Sequence, residues 1–556
     1  MSRERLIYLP LGGAGEIGMN CYVYGYGAPD QERLIVVDLG VTFPDMDGTP
    51  GVDLILPDIT WLKENRNRID AVFITHAHED HVGAVGHLFE DLGAPIYARA
   101  FTANIARGKL AEYGVDGKSV RTVSKWPETV QVGPFTVGFL PVSHSIPESS
   151  ALVIDSPDGR VIHTGDFKLD PTPLVGEPWD PELWAEVARP GVKALICDST
   201  NVFSTHPGRS EALVGPEVEK LVAEAKQMVV ATTFASNVAR VKTLAEAGER
   251  AGRSICLLGR AMRRMIEASV ETGVLASFPR VIGPEDASQI PRENLMLIVT
   301  GSQGERRAAS AQLARGKFHG IEMKEGDLFL FSSKTIPGNE RGVIRIMNQF
   351  SEQGVDVVAD GGDGAYHVSG HANRPDLETL QDIVKPQIVV PMHGEHRHLR
   401  EHVKLSQAKG RAAVLAVNGM MIDLSGNAPE VAQYIETGRT YLDGSTQIGA
   451  LDGIVRDRIR MALNGHVTVT VILDEDDSAL GDPWCDLMGL APEGRSRVPL
   501  VDILEEDLGQ FLGRANAKTM ADDDKLEDGL KKIVRQTCQS EIGKKPEVTV
   551  VVSRLS

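Results

Sequence analysis

One short stretch of the sequence, residues 72 to 81, constrains the fold more than any other. The apolar run Val72-Phe73-Ile74 is typical of a buried strand, and it leads into His76-Ala77-His78-Glu79-Asp80-His81. With 15 histidines in 556 residues, composition alone does not explain three histidines within six positions. Neutral imidazole and carboxylate oxygen are ligands that Zn²⁺ accepts, so a strand that ends in such a cluster indicates a metal site. The alternative is a solvated, His-rich loop.

The spacing within this segment predicts ligands for more than one ion. His76 and His78 lie two residues apart, so in extended backbone their side chains point to the same side and can share an ion. The turn that follows can direct Asp80 and His81 toward a second ion. The segment therefore predicts a centre with two metal ions.

Further candidate ligands directly follow other apolar runs. A centre with two ions needs several neutral imidazoles and a bridging carboxylate, and His144, Asp166 and His393 each stand where such a run ends. Asp38 ends another run and can orient a ligand histidine through its free ring N–H. Each of these residues alone is more often a cap or a loop residue, but together with the cluster they predict a ligand set.

Composition limits the compartment and the partners. No apolar run approaches the roughly 18 residues that a membrane span needs, and the start Met1-Ser2-Arg3-Glu4-Arg5 predicts no signal peptide. The five cysteines are scattered and form no Cys-x-x-Cys pair, which favours reduced thiols. We therefore expect a cytoplasmic protein without a membrane partner. A net charge of −19 argues against non-specific coating of nucleic acid, although it allows binding in a locally basic or metal-lined channel.

The pattern of strands and helices changes along the chain. Before about residue 200, strand-like runs alternate with turns and short helices, which favours an α/β sandwich, whereas residues 213 to 350 alternate helix and strand as in a doubly wound parallel sheet. Residues 356 to 425 return to short strands and histidines, so the first domain is predicted to be interrupted and then resumed. After about residue 460, two strand patterns and two helical patterns predict a small α+β unit.

The motifs resemble those of known families. His76-Ala77-His78-Glu79-Asp80-His81 resembles the His-x-His-x-Asp-His signature of the metallo-β-lactamase superfamily, and Asp38, His144 and Asp166 match its other motifs in order. Later segments resemble motifs A, B and C of the nucleic-acid-processing β-CASP group: Asp198-Ser199-Thr200-Asn201, Ser369-Gly370-His371-Ala372 and Pro391-Met392-His393-Gly394-Glu395. Three more are similar to bacterial ribonuclease J: Thr300-Gly301-Ser302-Gln303-Gly304-Glu305, Ile336-Pro337-Gly338-Asn339-Glu340 and His367-Val368-Ser369-Gly370-His371.

This resemblance extends from about residue 6 to 460 and implies the domain organisation. The fold class implied is α/β, with a metallo-β-lactamase αββα sandwich interrupted by an inserted β-CASP α/β domain and followed by a small C-terminal α+β domain. The boundaries expected are 1–205 and 356–430 for the two parts of the sandwich, 206–355 for the inserted domain, 431–460 for a linker and 461–556 for the C-terminal domain.

The resemblance also implies a role for individual residues. One ion would be held by His76, His78, His144 and Asp166, and the other by Asp80, His81, Asp166 and His393, so that Asp166 bridges. Asp198 and His371 would be the catalytic acid–base pair. The residues expected to bind substrate are His367, Val368, Ser369, Gly370, His371, Ser302, Ser236 and Arg260. Gly51, Asp53 and Asp443 match positions where some family members bind an additional divalent cation such as calcium.

The function implied is a metal-dependent ribonuclease that degrades single-stranded RNA from the 5′ end, favours a 5′-monophosphate and also cuts internally, in RNA maturation and mRNA decay. The cofactors expected are two divalent ions, zinc first, with manganese or magnesium as alternatives in activity and calcium at the additional site. We expect a homodimer or homotetramer, with RNA-decay or ribosome-associated proteins as partners. Arg306 and Arg307 replace a proline and an apolar residue of the family, and their effect on the choice of 5′ end is left open.

Three alternatives remain at this point. A lactamase or thioester hydrolase of the same superfamily needs only the first domain, so the insertion, Asp198 and His371 count against it. A β-CASP DNA nuclease has the same spacing of motifs. A non-catalytic scaffold of an RNA-processing assembly is disfavoured because the ligand set is complete.

Overall fold

The structure, a computed structural model, describes residues 3–361 and 364–555. Met1 and Ser2, on which the expectation of no signal peptide partly rests, lie outside these residues. The chain divides into two compact units, Met1–Thr42 with Leu56–Arg439, and Phe43–Ile55 with Thr440–Ser556. The sequence did not indicate that a segment near the amino terminus belongs to the second unit.

Two sheets form the sandwich of the first unit. In spatial order, the strands of one sheet are Glu430–Tyr434, Met420–Asp423, Arg5–Gly12, Cys21–Gly27, Arg33–Val37, Ile69–Phe73, Ile96–Ala98 and Val120–Thr122. Those of the other are Ala412–Ala413, Ile388–Met392, Ala194–Asp198, Gly159–His163, Ser150–Ser156, Phe135–Pro141 and Thr129–Val132. Alternate apolar residues of both sheets, such as Tyr24, Phe73 and Phe139, share one buried core.

Helices cover the outer face of the second sheet. Trp184, Leu380 and Leu405, from three different helices, are buried in a separate cluster against that face. The α-helices of the chain are Thr60–Glu64, Glu79–Val82, Val85–Leu92, Ala100–Glu112, Pro181–Ala188, Val214–Glu224, Val238–Arg250, Arg260–Glu271, Pro284–Ala287, Ala309–Ala314, Glu340–Glu352, Arg374–Val384, His396–Ala408, Ile454–Asn464, Leu500–Arg514, Ala517–Met520 and Asp523–Ile542. None of these, within the described ranges, is long and apolar enough to cross a membrane.

The inserted layer is a parallel sheet, as predicted. In spatial order its strands are Ser254–Leu258, Leu295–Val299, Val229–Thr232, Leu328–Phe331 and Asp356–Ala359, and every pairing between them is parallel. Chain order reverses at Val229–Thr232, which lies between two strands that come later in the sequence. In open α/β sheets, ligands bind at such a switch point, outside the carboxyl ends of the strands.

Short strand pairings join the end of the first unit to its beginning. Ala14–Gly15 pairs with Gly394–Glu395, and the N–H of His393 donates to the carbonyl of Gly13 at 2.7 Å. The resumed part of the sandwich thus brings His393 back to the amino-terminal strands, although almost 400 residues separate them in sequence.

Within the insertion, a further short pairing joins Lys317–Phe318 to Ile321–Glu322.

The second unit contains the predicted α+β layer. Strand His466–Leu473 lies between Trp484–Met488 and Glu547–Arg554, and helices Leu500–Arg514 and Asp523–Ile542 pack on one face of this sheet. The other described strands are Leu54–Pro57, Arg439–Asp443 and Thr446–Gly449.

The stretch expected to be a linker, 431–460, is more ordered than its sequence suggested. It contains most of strand Glu430–Tyr434, the hairpin of Arg439–Asp443 with Thr446–Gly449, and the start of helix Ile454–Asn464. The side chains of its first strand are exposed along their whole length, so no apolar alternation marks that strand in the sequence.

A buried ion pair connects helix Val238–Arg250 to the segment that enters the insertion. The Arg240 guanidinium is fully buried and donates to both carboxylate oxygens of Glu211 at 2.7 and 2.9 Å. It also donates to the carbonyls of Ser332 and Tyr366, each at 3.0 Å. These donors are used inside the protein, so the Arg240 side chain is not available to a ligand.

We predict that Arg240→Leu lowers the free energy of unfolding by about 3–5 kcal/mol, because it leaves the Glu211 carboxylate buried without its partner. Denaturant unfolding followed by circular dichroism measures the effect. Arg250→Leu is the control, since Arg250 is exposed and pairs with Glu219 and Glu246 at the surface, and a change of at most about 0.5 kcal/mol is expected there. Equal effects of the two substitutions would contradict the role of the buried pair.

Candidate metal centre

The predicted ligands are held at strand ends by unusual backbone conformations. Asp38 and His393, each directly after a buried strand, have φ values of 64° and 50°. Non-glycine residues occupy this region only where the surroundings hold them there. The N–H and hydroxyl of Thr75 both donate to the Asp38 carboxylate, at 2.8 and 2.9 Å. These turns direct the side chains from both sheets toward one edge of the sandwich.

The structure brings the expected ligands together in two groups that share one residue. Ligand atoms of His76, His78, His144 and Asp166 all lie within 4.8 Å of one another. The same holds for Asp80, His81, Asp166 and His393. These are the two sets that the sequence resemblance implied, with Asp166 common to both.

Asp166 lies between imidazoles of both groups. Its Oδ2 is 3.8 Å from Nε2 of His76 and of His144, 3.2 Å from Nε2 of His81 and 3.6 Å from Nε2 of His393. Its Oδ1 is buried and has no hydrogen-bond partner among residues 3–361 and 364–555. A buried carboxylate oxygen without a partner is costly, so this atom is available to a cation.

Hydrogen bonds turn the imidazoles so that one ring nitrogen faces the centre. Nδ1–H of His81 donates to Asp38 at 2.7 Å, and Nδ1–H of His144 donates to the Gly370 carbonyl at 2.6 Å. His78 has the opposite orientation, because its Nδ1 lies 3.1 Å from Nε2 of His144. Such outer partners fix the tautomer and the ring orientation of metal ligands.

Two threonine hydroxyls each join a ligand histidine to a carboxylate and so fix the orientation of the histidine ring. The Thr75 hydroxyl donates to Asp38 and accepts from Nδ1–H of His76 at 3.0 Å. The Thr200 hydroxyl donates to Asp198 at 2.7 Å and accepts from Nδ1–H of His393 at 2.8 Å.

The pKa shifts match a site that attracts cations. Burial lowers the pKa of His76 and His144 well below the ordinary imidazole value, so both are neutral and able to bind metal. Burial also opposes protonation of His81, but the surrounding carboxylates, led by Asp166, outweigh it and raise its pKa to about 10. The donor set, neutral imidazoles around a shared carboxylate, fits two divalent cations.

Asp198 and His371 form a pair beside these ligands. Nδ1–H of His371 donates to Asp198 Oδ2 at 2.8 Å, and the same nitrogen lies 4.0 Å from Asp166 Oδ2. Burial opposes protonation of His371, yet the Asp198 carboxylate outweighs it and raises the pKa of the imidazole. Nδ1 is used by Asp198, so Nε2 is the nitrogen left to exchange a proton with a bound substrate.

Some residues expected to bind substrate lie next to the ligands. Gly370 contacts His144 through its carbonyl, and the Ser369 hydroxyl accepts from the Asn201 amide at 2.8 Å. Val368 is buried, and burial lowers the pKa of the half-buried His367 to about 4.

The others lie at the carboxyl edge of the inserted sheet. Ser302 is buried, Ser236 is half-buried and Arg260 is exposed at the start of a helix. In the described part of the chain no hydrogen bond or ion pair joins these three residues to the His/Asp cluster. A Cβ on Gly304, whose φ is 79°, would lie 2.4 Å from the Gly342 backbone, so only glycine allows this close approach. Arg306 and Arg307 are exposed beside this loop.

The residues of the expected calcium site are engaged within the protein. The Asp53 carboxylate accepts from the N–H of Gly444 at 2.8 Å, and Asp443 accepts from Arg458 at 2.6 Å. The Arg458 guanidinium also lies beside Gly51. A cation at this place would compete with Arg458, and the calcium site stays a prediction.

Several residues that position the site were missed in the sequence. The Asn20 amide nitrogen is 3.0 Å from Nε2 of His81 and donates to the carbonyl of Asp80 at 2.9 Å. His402 is buried, 2.9 Å from the Ser199 hydroxyl, next to Asp198. These residues have no motif of their own. Only the position of Ser199 beside Asp198 was a signal that could have identified one of them.

Sequence comparison places these features in known families. Models of four families match the chain: the metallo-beta-lactamase superfamily over residues 14–222, the ribonuclease J beta-CASP domain over 226–350, the Zn-dependent metallo-hydrolase RNA specificity domain over 365–416 and the ribonuclease J C-terminal domain over 453–555. The sandwich, the inserted layer and the C-terminal unit each find a match.

Curated relatives match nearly the whole chain. Ribonuclease J of Sinorhizobium meliloti is 41% identical over 99% of this chain and 98% of its own length. Ribonuclease J of Corynebacterium glutamicum is 38% identical over 89% of this chain and 69% of its own length, and that of Synechocystis is 32% identical over 97% and 85%. A crystal structure of an Enterococcus faecalis protein of unknown function superposes with a TM-score of 0.51 at 18% identity, covering 75% of this chain and 100% of that one, which supports the fold alone.

We predict that Asp80→Ala removes one equivalent of metal, because Asp80 belongs to only one of the two ligand groups. Elemental analysis of the purified protein measures the metal content. Glu79→Ala is the control, since Glu79 lies in the same turn and pairs with Lys109 at the surface, and it should keep both equivalents. Full metal content in the Asp80 variant would show that this carboxylate is not a ligand.

Proposed function

The chain belongs to the ribonuclease J family, and from that premise we propose that it degrades RNA from the 5′ end and favours a 5′-monophosphate. As a member it is a metal-dependent ribonuclease, a hydrolase that acts on RNA and uses divalent ions. The direction of degradation, the choice of 5′ end, the accompanying internal cleavage and the role in RNA maturation and mRNA decay are our proposals.

One observation carries the assignment of roles: the Asp198–His371 pair lies against Asp166, the residue common to both ligand groups. Proton transfer and charge stabilisation can therefore act on the same phosphate. We propose that one ion is held by His76, His78, His144 and Asp166 and the other by Asp80, His81, Asp166 and His393. When bound, such ions activate water and stabilise negative charge on phosphate oxygens. We expect zinc, because imidazole predominates among the donors.

The protein's own groups complete the reaction. Asp198 accepts from Nδ1–H of His371 and so fixes the ring with Nε2 free. From this position, Nε2–H can donate a proton to the 3′ oxygen as it leaves. Hydrolysis with departure of a 3′ oxygen leaves a 5′-phosphate on the downstream product. That product is again a substrate for an enzyme that prefers a 5′-monophosphate, which makes stepwise degradation from the 5′ end self-sustaining.

Backbone donors near the switch point of the inserted sheet suit a terminal phosphate. The Gln303 side chain joins the loop around Gly301 and Gly304 to the loop that follows strand Leu328–Phe331. It donates to the Lys334 carbonyl at 3.0 Å and accepts from the Ile336 N–H at 2.7 Å. Glycine-containing loops can present N–H groups to phosphate oxygens without adding charge. We propose that this loop and residues 367–371 hold the 5′ end, with Ser236 and Arg260 at the same edge.

We further propose self-association as a homodimer or homotetramer, in which the C-terminal unit takes part. The face of its sheet opposite the helices carries three exposed apolar side chains among polar ones: Trp484, Met488 and Val551 are 57%, 69% and 46% exposed. Exposed apolar side chains grouped in this way favour contact with another protein surface. Light scattering of the intact chain tests the proposal. Association with RNA-decay or ribosome-associated proteins and the cytoplasmic location remain predictions.

We predict that 5′-monophosphorylated RNA is degraded roughly 5- to 150-fold faster than the same RNA with a 5′ hydroxyl, because each buried donor left unpaired costs about 1–3 kcal/mol. A 5′ triphosphate should also react more slowly, since a pocket for one phosphate excludes three by volume and charge. A time course on one sequence with each 5′ end, labelled at either terminus, measures rate and direction.

Controls in that assay separate the alternatives. The matching 5′-monophosphorylated DNA should resist cleavage, and its equal degradation would favour a DNA nuclease. Release of mononucleotides from the 3′ end, or equal rates with only internal cuts, would contradict the proposed polarity. Absence of cleavage with any divalent metal would favour a scaffold.

We predict that His371→Ala lowers kcat by about 10²- to 10⁴-fold, the usual contribution of a general acid, with a much smaller effect on KM, since the other residues of 367–371 still hold the RNA. Steady-state kinetics with metal analysis of the same preparation measures both effects. His319→Ala, an exposed histidine of the inserted layer, should behave as the wild type. If His371→Ala loses activity only in proportion to lost metal, then His371 supports the metal centre and is not the acid.

A further inference from the structure

Phe203 is an exposed aromatic residue in the segment that follows Asp198. Its side chain is 49% exposed, although it comes directly after the buried Val202. Single exposed apolar residues are common on proteins and by themselves indicate nothing. Two neighbours set this one apart. The Arg397 guanidinium carbon lies 5.3 Å from the ring centroid of Phe203, and the His398 ring lies at the same distance with an interplanar angle of 59°.

The position of Phe203 is close to the metal centre. Thr200, three residues earlier, contacts His393 through its hydroxyl at 2.8 Å. Three residues of extended chain span at most about 11 Å, so the Phe203 backbone lies no farther than that from the backbone of Thr200. On the other side, His398 packs against Gly394, the residue after His393. Phe203 therefore lies between two segments that each contact or adjoin His393.

The local charge around Phe203 differs from that of the whole chain. The chain has a net charge of −19, yet the two adjoining segments carry three exposed arginines, Arg209, Arg397 and Arg400. Glu395 is the exposed acid at the start of the same helix, and Arg374 is paired with Glu401. An aromatic ring beside arginines suits single-stranded nucleic acid, in which negative phosphates alternate with flat bases.

We propose that Phe203 and Arg397 form a stacking platform for one unpaired base of the RNA substrate. Sites for single-stranded nucleic acid combine aromatic rings, on which bases stack, with cations that follow the backbone. Phe203 offers a ring face without hydrogen-bonding groups, so the platform accepts any base, as a processive nuclease requires. Arg397 holds the ring by a cation–π contact and leaves guanidinium donors for a phosphate. The inference rests on the proposed function, since it assumes a single strand at this metal centre.

The first test compares the kinetics of substituted proteins on 5′-monophosphorylated single-stranded RNA. Phe203→Ala should raise KM by about 5- to 100-fold, the usual effect of removing one stacked base contact, with kcat little changed. Phe203→Leu should lose almost as much, because it keeps apolar bulk without an aromatic face, whereas Phe203→Trp should bind at least as tightly as the wild type. Tyr434→Ala, which removes a ring that is 72% exposed elsewhere on the first unit, is the matched control.

The second test uses the wild-type protein and modified RNA. A single abasic site is moved along the strand from the 5′ end. At one position, the abasic site should weaken RNA binding by the wild type. The same abasic RNA should show no further loss of binding to Phe203→Ala, because a base and a ring that contact each other do not contribute independently. This arm remains informative even if a substituted protein folds poorly.

The outcomes separate this proposal from the function on which it rests. If the wild type does not degrade RNA from the 5′ end, the proposed polarity fails. If it does, but Phe203→Ala and Phe203→Leu keep wild-type KM and no abasic position matters, the platform is wrong. Loss of self-association in the Phe203 variants, with unchanged KM in the remaining active protein, would assign the ring to a contact between two copies of this chain and would also overturn the proposal.

Discussion

The arrangement of the site depends on one buried carboxylate. Asp166 is almost completely shielded from water, its Oδ2 faces four imidazole nitrogens and its Oδ1 has no hydrogen-bond partner within the described residues. A charge in this position is tolerated only if cations surround it, whether metal ions or protonated histidines. The ligand residues therefore have to converge on this point. The turns with positive φ at Asp38 and His393 are among the structures that make them converge.

Two hydrogen-bond chains of the same kind hold ligand histidines in position. In each, an aspartate accepts from a threonine hydroxyl, and the threonine accepts from the outer nitrogen of a ligand histidine: Asp38–Thr75–His76 and Asp198–Thr200–His393. Asp198 has a second role, because it also accepts from His371. His371 and His393 are thus coupled through one carboxylate. A substitution of Asp198 should therefore disturb both the proton transfer and the orientation of His393.

Because this ribonuclease is acidic overall, the positive charge that attracts RNA has to be concentrated around the site. In the proposed mechanism, divalent ions supply it at the reacting phosphate, and the arginines of the two segments around Phe203 supply it nearby. Arg240 shows that sequence alone does not identify which arginines are free to take part, because its buried guanidinium donates to Glu211 and to backbone carbonyls. The parallel sheet of the insertion contributes the glycine-containing loop that we propose for the 5′ end.

The sequence by itself predicted the ligand types and most of the regular structure, and the family resemblance of its motifs implied how the ligands are grouped. Apolar patterns predicted the parallel sheet of the insertion and the α+β layer of the C-terminal unit. The continuous apolar strand Leu295–Val299 and the alternating strand His466–Leu473 show why, because the first is buried on both faces and the second on one. It did not reveal Asn20, Thr75 or His402 as positioning residues, since a side chain that acts only through hydrogen bonds to distant segments leaves no pattern in the sequence. It also did not reveal that Phe43–Ile55 joins the C-terminal unit or that 431–460 is ordered. Those features arise from contacts between segments hundreds of residues apart, and only the tertiary structure decides which distant groups meet.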